Sequence, residues 1–370
     1  MKTAWLELRR HPSRFSAATA ILTLIAILLM FLGGLLDGLI KNATGAVSAI
    51  DADAIIFSES AHSSFLRSRI EPGTSTAIRD HLDSQVGGLG VVLLGARIPH
   101  RGPRDLTSVA VWGYEISPTG VPKPAGPGRA WADRSLKTNG LEVGDELLVG
   151  SERTPLTIAG WVDNTSYNGQ ASLWTDIGTW RGILNKNRPD AALANGVFQA
   201  LTVSGPDSLT EREVLNTLTR ALGEGYTALT VSETRDAIPG VTEQQATFNQ
   251  ILGVTLVIAL LVIALFFALV TVERTGLYAV FKAVGASSRY IFAGLIVQAT
   301  LVTAIAATLA TVTVLVLNAS IPAGSIPLFI SPQRIVSSTA SLLFAAVVGC
   351  TFSLRRVLRI DPATALGDSL

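Results

Sequence analysis

The chain has 370 residues, of which 48% are hydrophobic and only 15% are charged, and its formal net charge is +1. Soluble globular proteins carry roughly 25% charged residues, so this composition excludes a soluble disordered chain, and the near-neutral charge excludes a nucleic-acid-binding protein. Charged residues are scarce in long apolar stretches near the N-terminus and in the last third of the chain. The composition therefore predicts a membrane protein with one large water-soluble insertion.

The apolar stretches predict four transmembrane helices, because about 20 apolar residues are needed to cross a bilayer. The first stretch is also too long for the core of a signal peptide, which has about 7–15 residues. The predicted segments, in chain order, are a cytoplasmic helix leading into the membrane (1–14), a first span (15–40), an extracytoplasmic domain (41–250), a second span (251–272), a cytoplasmic coupling helix (273–289), a third span (290–317), a short external loop (318–334), a fourth span (335–354) and a cytoplasmic tail (355–370).

Orientation follows from the lysines and arginines beside the spans, which accumulate on the cytoplasmic side. Such residues precede the first span, occupy the 273–289 segment and follow the fourth span, whereas the loop between spans three and four has only Arg334. Both termini are therefore predicted to be cytoplasmic and the large domain to lie outside the cell membrane.

The large domain is predicted to be α+β. The only cysteine, Cys350, lies in the fourth span, so the domain must fold without disulfides, which about 200 residues allow. A helical pattern at 208–222, capped by Asp207 or Ser208, follows an earlier one at 75–85, and a Pro- and Gly-rich stretch at 121–128 predicts a connector between two lobes. Short β-branched runs predict strands at 53–57, 90–94, 108–112, 146–150, 156–160 and 199–203.

Motifs for chemistry are missing from the sequence. There is no G-x-x-x-x-G-K-[ST], H-E-x-x-H, C-x-x-C or G-x-S-x-G pattern, so we expect no nucleotide site, no metal site and no enzyme activity in this chain. His62 is interpreted as a surface residue in preference to a metal ligand. A group of acids that first suggests catalysis is interpreted as solvated side chains around a turn: Asp133, Glu142, Asp145 and Glu146.

The segment between the second and third spans predicts a short amphipathic helix. Its apolar residues recur at helical spacing, and Gly285 would end the helix in a left-handed conformation. The pattern leaves open whether this helix binds a partner or only joins two spans along the membrane surface. The apolar residues are Leu277, Val280, Phe281 and Val284.

The same segment carries a family resemblance. Residues 272–289 resemble the E-R-x-x-E-[IL]-x-V-L-K-A-[LI]-G-A-S motif of FtsX/MacB-type ABC permeases, with Gly276 and Leu277 where many relatives carry an acid. Residues 355–366 resemble the closing R-x-x-P-x-x-A-L motif of that family, and residues 4–15 resemble its N-terminal helix.

The resemblance implies a permease dimer in the lipid bilayer, bound to two copies of a separate ATPase subunit. ATP and Mg²⁺ would bind to that partner, and the permease would hold no cofactor of its own. Leu277, Phe281 and Val284 would fill a groove on the ATPase, with Gly285 ending the helix. The polar rim of this contact would be formed by Glu273, Arg274 and Lys282. Movement driven by the ATPase would pass to the outer domain by MacB-like mechanotransmission.

A narrower resemblance concerns the substrate. Residues 31–39, 57–69 and 160–180 are similar to the DevC/HrtB-like branch, which includes haem-export permeases and glycolipid exporters. Haem export is therefore favoured. The alternatives are export of another amphiphile (a glycolipid, peptide or lipoprotein) and FtsX-like regulation of cell-wall hydrolases without transport.

A candidate substrate face lies on the first span. Met30, Asp37 and the glycines Gly33 and Gly34 fall on one helical stripe. The glycines would leave room for a porphyrin, and the Met30 sulfur could bind the haem iron. No other metal ligand is predicted in the chain. Ordinary helix packing, with Met30 filling a gap, explains the same pattern. Glu59 and His62, just beyond the span, are lesser candidates.

Overall fold

The computed structural model describes residues 12–98, 102, 105–321 and 326–358. The predicted helix at 1–14 and the tail at 355–370 lie almost wholly outside these residues. The chain divides into two compact units, one formed by Leu39–Gln244 and the other by the segments on either side of it. We call them the soluble unit and the membrane unit.

The membrane unit contains the four predicted spans. Each lies in a helix long and apolar enough to cross a membrane, and the four helices are α1 (Pro12–Ser48), α6 (Val241–Glu273), α8 (Ser288–Ser320) and α9 (Pro332–Leu358). The helices α1 and α6 are longer than the predicted spans, because α1 continues through the polar residues after Ile40 and α6 begins ahead of Ile251. Polar residues end an apolar stretch but do not end a helix, so hydropathy alone underestimates the length of the helix.

Small residues allow the helices of the membrane unit to pack closely. Ala259, Ala306 and Ala346 are fully or almost fully buried. A Cβ atom on Gly349 of α9 would lie only 3.0 Å from the carbonyl oxygen of Leu260 on α6. Such close contacts between backbones are typical of membrane helices, where lipid supplies no hydrophobic force between them.

The soluble unit is built on one nine-stranded sheet, counted over the described residues. Six of its strands close into a ring in the order β2-β3-β7-β4-β6-β5 and back to β2, since β2 pairs with both β3 and β5. The strands are β1 (Ala54–Ser58), β2 (Gln85–Arg97), β3 (Leu106–Tyr114), β4 (Arg129–Asp133), β5 (Glu146–Val149), β6 (Thr154–Val162), β7 (Ala171–Asp176), β8 (Ala200–Ser204) and β9 (Tyr226–Leu229).

The long strand β2 belongs to both halves of the soluble unit. Its last residues close the ring, and its first residues, Gln85–Leu89, pair with β8, which continues to β1 and β9. Two helices, α2 (Pro72–His81) and α4 (Glu211–Leu222), contribute to an apolar core with these outer strands, and the short helix α5 (Val231–Asp236) follows β9. The α+β class is therefore confirmed.

Several local predictions for the soluble unit need correction. The 121–128 stretch joins β3 to β4, two strands of the same ring, so the two halves are joined by β2 instead. The helix predicted at 75–85 spans Pro72–His81, and Gln85 already begins β2. The cap of α4 is Thr210, whose side chain forms a capping box with Glu213, so neither Asp207 nor Ser208 has that role.

A pair of glycines makes room for the buried Trp180 ring. Gly90 on β2 and Gly113 on β3 are directly opposite each other, and the Trp180 ring covers both. Trp180 belongs to α3 (Ile177–Asn187), the helix that follows β7. A second core contains Trp112 stacked on Trp174 at 5.1 Å between ring centroids, with Tyr167 and Phe65 against Trp112. Burial there raises the pKa of Tyr167 to about 12.

Candidate functional site

The segment between α6 and α8 forms the short helix α7 (Thr275–Ala283). The helix ends as predicted. Gly285 has a φ of +100°, and the Ala286 N–H donates to the Phe281 carbonyl at 2.8 Å, as in a Schellman-type helix end. Gly285 therefore has a structural role, because a residue with a side chain is strained at this φ.

One face of α7 is buried and the other is apolar and exposed. Tyr278 and Ala279 are buried in the membrane unit, and burial raises the pKa of the Tyr278 hydroxyl, partly opposed by the charge of Arg274. The predicted contact residues lie on the exposed face: Leu277 is 44% exposed, Val280 and Phe281 are each 45% exposed, and Val284 is 84% exposed.

Charged residues flank this apolar face. Glu273 is exposed at the end of α6, while Arg274 and Lys282 are half-buried. Arg274 also separates α6 from α7, since its φ of −107° and ψ of 14° are not helical. The structure therefore brings together an apolar surface with polar residues beside it, which is the usual composition of a protein–protein contact.

Met30 of the first span is fully buried among small and aliphatic side chains of the membrane unit. It packs with residues such as Ala259, Ala310 and Leu342, and the Thr311 hydroxyl lies 3.7 Å from its sulfur. This environment is that of a side chain filling a gap between helices, and the sulfur is covered on all sides in this conformation.

The glycines that follow Met30 are covered by the segment leading into α9. A Cβ atom on Gly33 would lie 2.7 Å from Cδ of Arg334, and one on Gly34 would overlap Ile330. One turn later, a Cβ atom on Gly38 would overlap the Pro327 carbonyl. The space beside Gly33, Gly34 and Gly38 is therefore occupied by the chain's own 327–334 segment.

Asp37 lies on the same stripe and is paired. Its Oδ2 accepts a hydrogen bond from Nε of Arg334 at 2.9 Å, and its Oδ1 accepts a second from Nη2. The two side chains are about a quarter exposed, at 24% and 23%. An acid near the end of a membrane helix needs a partner or water, and Arg334 is that partner.

Glu59 and His62 belong to the soluble unit, where both are exposed. Glu59 begins a short 3₁₀ helix and accepts a hydrogen bond from the Gly225 N–H at 3.2 Å, and His62 ends that helix with a φ of 48°. Among the described residues, no group of three or more His, Cys, Asp or Glu side chains is placed to hold a metal ion.

Sequence reasoning missed the residues that cover the first span. The prediction of orientation counts Arg334 only as one positive charge, although it is the single charged residue between Arg289 and Arg355. A lone charge beside a membrane span signals a partner of opposite charge, and Asp37 was the available acid. Ile330 and Thr311 had no comparable signal in the sequence.

Comparison with known proteins gives concordant results. Residues 249–362 match the family described as FtsX-like permease C-terminal. Two relatives named putative hemin transport system permease protein HrtB, from Staphylococcus epidermidis and Staphylococcus haemolyticus, are 20% and 21% identical, with 99% of this chain and 99% of each relative covered. The uncharacterized ABC transporter permease Rv0072 of Mycobacterium tuberculosis is 25% identical over 94% of this chain and 95% of its own.

A solved structure, the extracellular domain of the noncanonic ABC-type transporter YknZ from Gram-positive bacteria, aligns with a TM-score of 0.31 and 12% identity, covering 48% of this chain and 100% of that one.

The four apolar helices and the family match together indicate an ABC transporter permease with several membrane-spanning helices. The resemblance to FtsX/MacB-type permeases inferred from the sequence motifs is confirmed by the match of residues 249–362 to that family and by the similarity to permeases along nearly the whole chain.

Proposed function

We propose that the chain is the permease subunit of an ABC efflux transporter that exports haem, powered by a separate ATPase that docks on α7. The observation that carries the proposal is the exposed apolar face of α7, beside charged residues and ended at Gly285. A permease must receive work from an ATP-binding partner, and such a face is suited to that contact.

The docking contact would centre on Leu277, Phe281 and Val284. Buried apolar anchors supply most of the affinity in protein interfaces, while a polar rim adds specificity and excludes water. Glu273, Arg274 and Lys282 would form that rim. Two ATPase copies, each binding ATP and Mg²⁺, would serve a dimer of the permease, in keeping with the family resemblance.

The proposed orientation places both termini and α7 in the cytoplasm and the soluble unit outside. The support is the distribution of lysine and arginine, because the 273–289 segment carries Arg274, Lys282 and Arg289 whereas the 318–334 loop has only Arg334. Closure of the ATPase pair would then displace α7 and the spans, and mechanotransmission through the first two spans would move the outer domain.

Haem is proposed as the substrate because full-length relatives are named as putative hemin transport permeases. The proposed site consists of Met30, Gly33, Gly34 and Asp37, with Glu59 and His62 as lesser candidates. The site is closed in this conformation, since Ile330 and Arg334 cover the glycines. Haem would have to displace the 327–334 segment before a porphyrin could lie against them and before its iron could approach the Met30 sulfur.

The experiment is absorption spectroscopy and efflux with the permease–ATPase complex in liposomes. We expect haem to give a shifted Soret band and to be exported with ATP. Met30→Ala should alter the band and lower efflux, and Met30→Leu, which conserves volume but not the sulfur, serves as the matched variant. If Met30→Leu matches wild type in both assays, Met30 only packs. If the wild-type complex hydrolyses ATP without binding or moving haem, the substrate is another amphiphile or the protein is a regulator.

A further inference from the structure

The loop between β6 and β7, residues 163–170, is bound to the backbone of the first helix. Within the soluble unit, the Ala46 N–H donates to the Ser166 carbonyl at 2.9 Å, and the Ala43 carbonyl accepts from the Asn168 N–H at 2.9 Å. In a third hydrogen bond between the loop and the helix, the Gly169 N–H donates to the Asn42 carbonyl at 3.2 Å. We call residues 163–170 the clamp loop.

These bonds are unusual because they reach backbone groups inside a helix. In a regular α-helix, the Ala46 N–H donates to the Asn42 carbonyl, so the inner groups have no need of other partners. Here both groups also have partners in the clamp loop. The helix therefore shares or gives up part of its own hydrogen-bond ladder in this turn, which is a known cause of helix bending.

Gly45 lets the loop come this close. A Cβ atom there would lie 2.5 Å from the Asn164 carbonyl oxygen and 3.1 Å from that of Ser166, and both are backbone atoms that cannot rotate away. The contact is therefore specific for glycine. No φ requirement explains it, because Gly45 is in a helical conformation.

The clamp loop is held from the other side by a buried carboxylate. Asp133, at the end of β4, is only 3% exposed, so its interpretation as a solvated acid is wrong. Its Oδ2 accepts from the Thr165 N–H at 2.7 Å and the Thr165 hydroxyl at 2.9 Å, and its Oδ1 accepts from the N–H and hydroxyl of Ser135. The Ser172 hydroxyl donates to the Thr165 carbonyl. Thr165 is thus fixed at its N–H, hydroxyl and carbonyl.

We propose that the clamp loop ties the first helix at Gly45 to the strand ring, so that this turn of the helix and the ring move as one body, with Asp133 as the positioning residue. The inference rests on the proposed function in taking the helix to move during the transport cycle. It identifies the contact through which that movement enters the soluble unit: the backbone of residues 42–46 against the backbone of residues 164–169.

The first test is a reversible cross-link in the full permease–ATPase complex in liposomes, in a Cys350→Ser background. Ala43→Cys with Asn168→Cys places two thiols on residues already joined by a backbone hydrogen bond, and each single variant shows what its substitution does alone. We expect the oxidised double variant to keep ATP hydrolysis and haem efflux within about twofold of the reduced sample. A loss of about tenfold or more that reduction reverses would show that loop and helix must separate, and would overturn the proposal.

The second test loosens the contact. Gly45→Ala pushes a methyl group against the loop backbone, and Asp133→Asn places an amide among groups that all donate to the carboxylate. Gly182→Ala, at an exposed helix glycine with open space above it, is the matched control. We expect about a tenfold fall in efflux at nearly unchanged ATP hydrolysis for the first two variants and no fall for the control. Wild-type efflux in Gly45→Ala and in Asp133→Asn would sink the proposal.

Amide hydrogen exchange separates this proposal from the choice of substrate. In Gly45→Ala, exchange should accelerate about tenfold in residues 42–48 and in residues 163–170 together, whether or not haem is exported. Acceleration in only one of the two segments would mean that they are independent, and the clamp would be rejected. If wild type moves no haem but both segments respond together, the substrate proposal fails and the clamp stands.

Discussion

Asp37 and Arg334 form an ion pair between two helices of the membrane unit. Arg334 covers Gly33 with its aliphatic part while its guanidinium binds Asp37 through two nitrogens. Planar two-point contacts of this kind depend on arginine geometry, so lysine is not an equivalent replacement. The pair joins the first span to the start of α9, and the glycines beneath it make the approach possible.

A double-mutant cycle measures this pair. Asp37→Asn and Arg334→Gln should each lower the melting temperature of the purified permease, because each leaves a partly buried charge without its partner. The double variant should lose less than the sum of the two, with a coupling energy of about 0.5–3 kcal/mol. The measurement is thermal unfolding in detergent at fixed lipid and salt. Strict additivity would show that the two groups do not stabilise each other.

At the scale of elements, α7 is an amphipathic helix with one face buried in the membrane unit and an apolar face exposed. Tyr278 and Ala279 anchor it to the membrane unit, so its exposed face is held at a defined position before any partner binds. A helix held in this way loses little conformational freedom on docking, which favours affinity.

Substitution of Phe281 tests whether this face binds the ATPase. Phe281→Asp places a charge in the middle of the apolar surface, and burying an unpaired charge in an interface costs several kcal/mol. We expect loss of co-purification with the ATPase while the permease still inserts, and Phe281→Leu should retain binding as the apolar control. If Phe281→Asp binds the ATPase as wild type does, α7 only joins two spans.

Elements with a strong hydrophobic signal could be predicted from the sequence, and those without one could not. The four spans and the predicted strands, which correspond to β1, β2, β3, β5, β6 and β8, follow from apolar or β-branched runs. By contrast, β4, β7 and β9 were not predicted, because their side chains alone do not distinguish a strand from a loop. Their pairing depends on distant strands, so the closed ring could not be derived from local pattern.

The site shows the same division. The exposed face and end of α7 followed from helical spacing and from Gly285, both of which are local signals. Helical spacing does not reveal the partners of Asp37 and Gly45, because Arg334 and Asn164 are far away in the chain, and only the lone charge of Arg334 signals the first pair. Asp133 was misjudged for a related reason, since its hydrogen-bond donors come partly from a loop about thirty residues later.

At the scale of the whole molecule, the orientation in the membrane remains a prediction from charge. It can be tested by labelling single cysteines in intact cells, in a Cys350→Ser background. Lys123→Cys, in the exposed stretch between β3 and β4, should react with a membrane-impermeant thiol reagent, whereas Ser287→Cys, just after α7, should react only after the cells are opened. The opposite pattern would reverse the topology and place α7 outside, away from any ATP-driven partner.

The pairing of β1 has a consequence for synthesis. Ala54 of β1 is opposite Val203 of β8, and Ile56 is opposite Ala228 of β9, so neither neighbour exists when β1 leaves the ribosome. At about 5–20 residues per second, the strand waits roughly 7–30 s for β8. During that interval an apolar Ala-Ile-Ile-Phe segment has both edges open, which is the state most exposed to aggregation and proteolysis. Because the proposed orientation places the soluble unit outside, production of this permease should depend on chaperones that act on that side of the membrane.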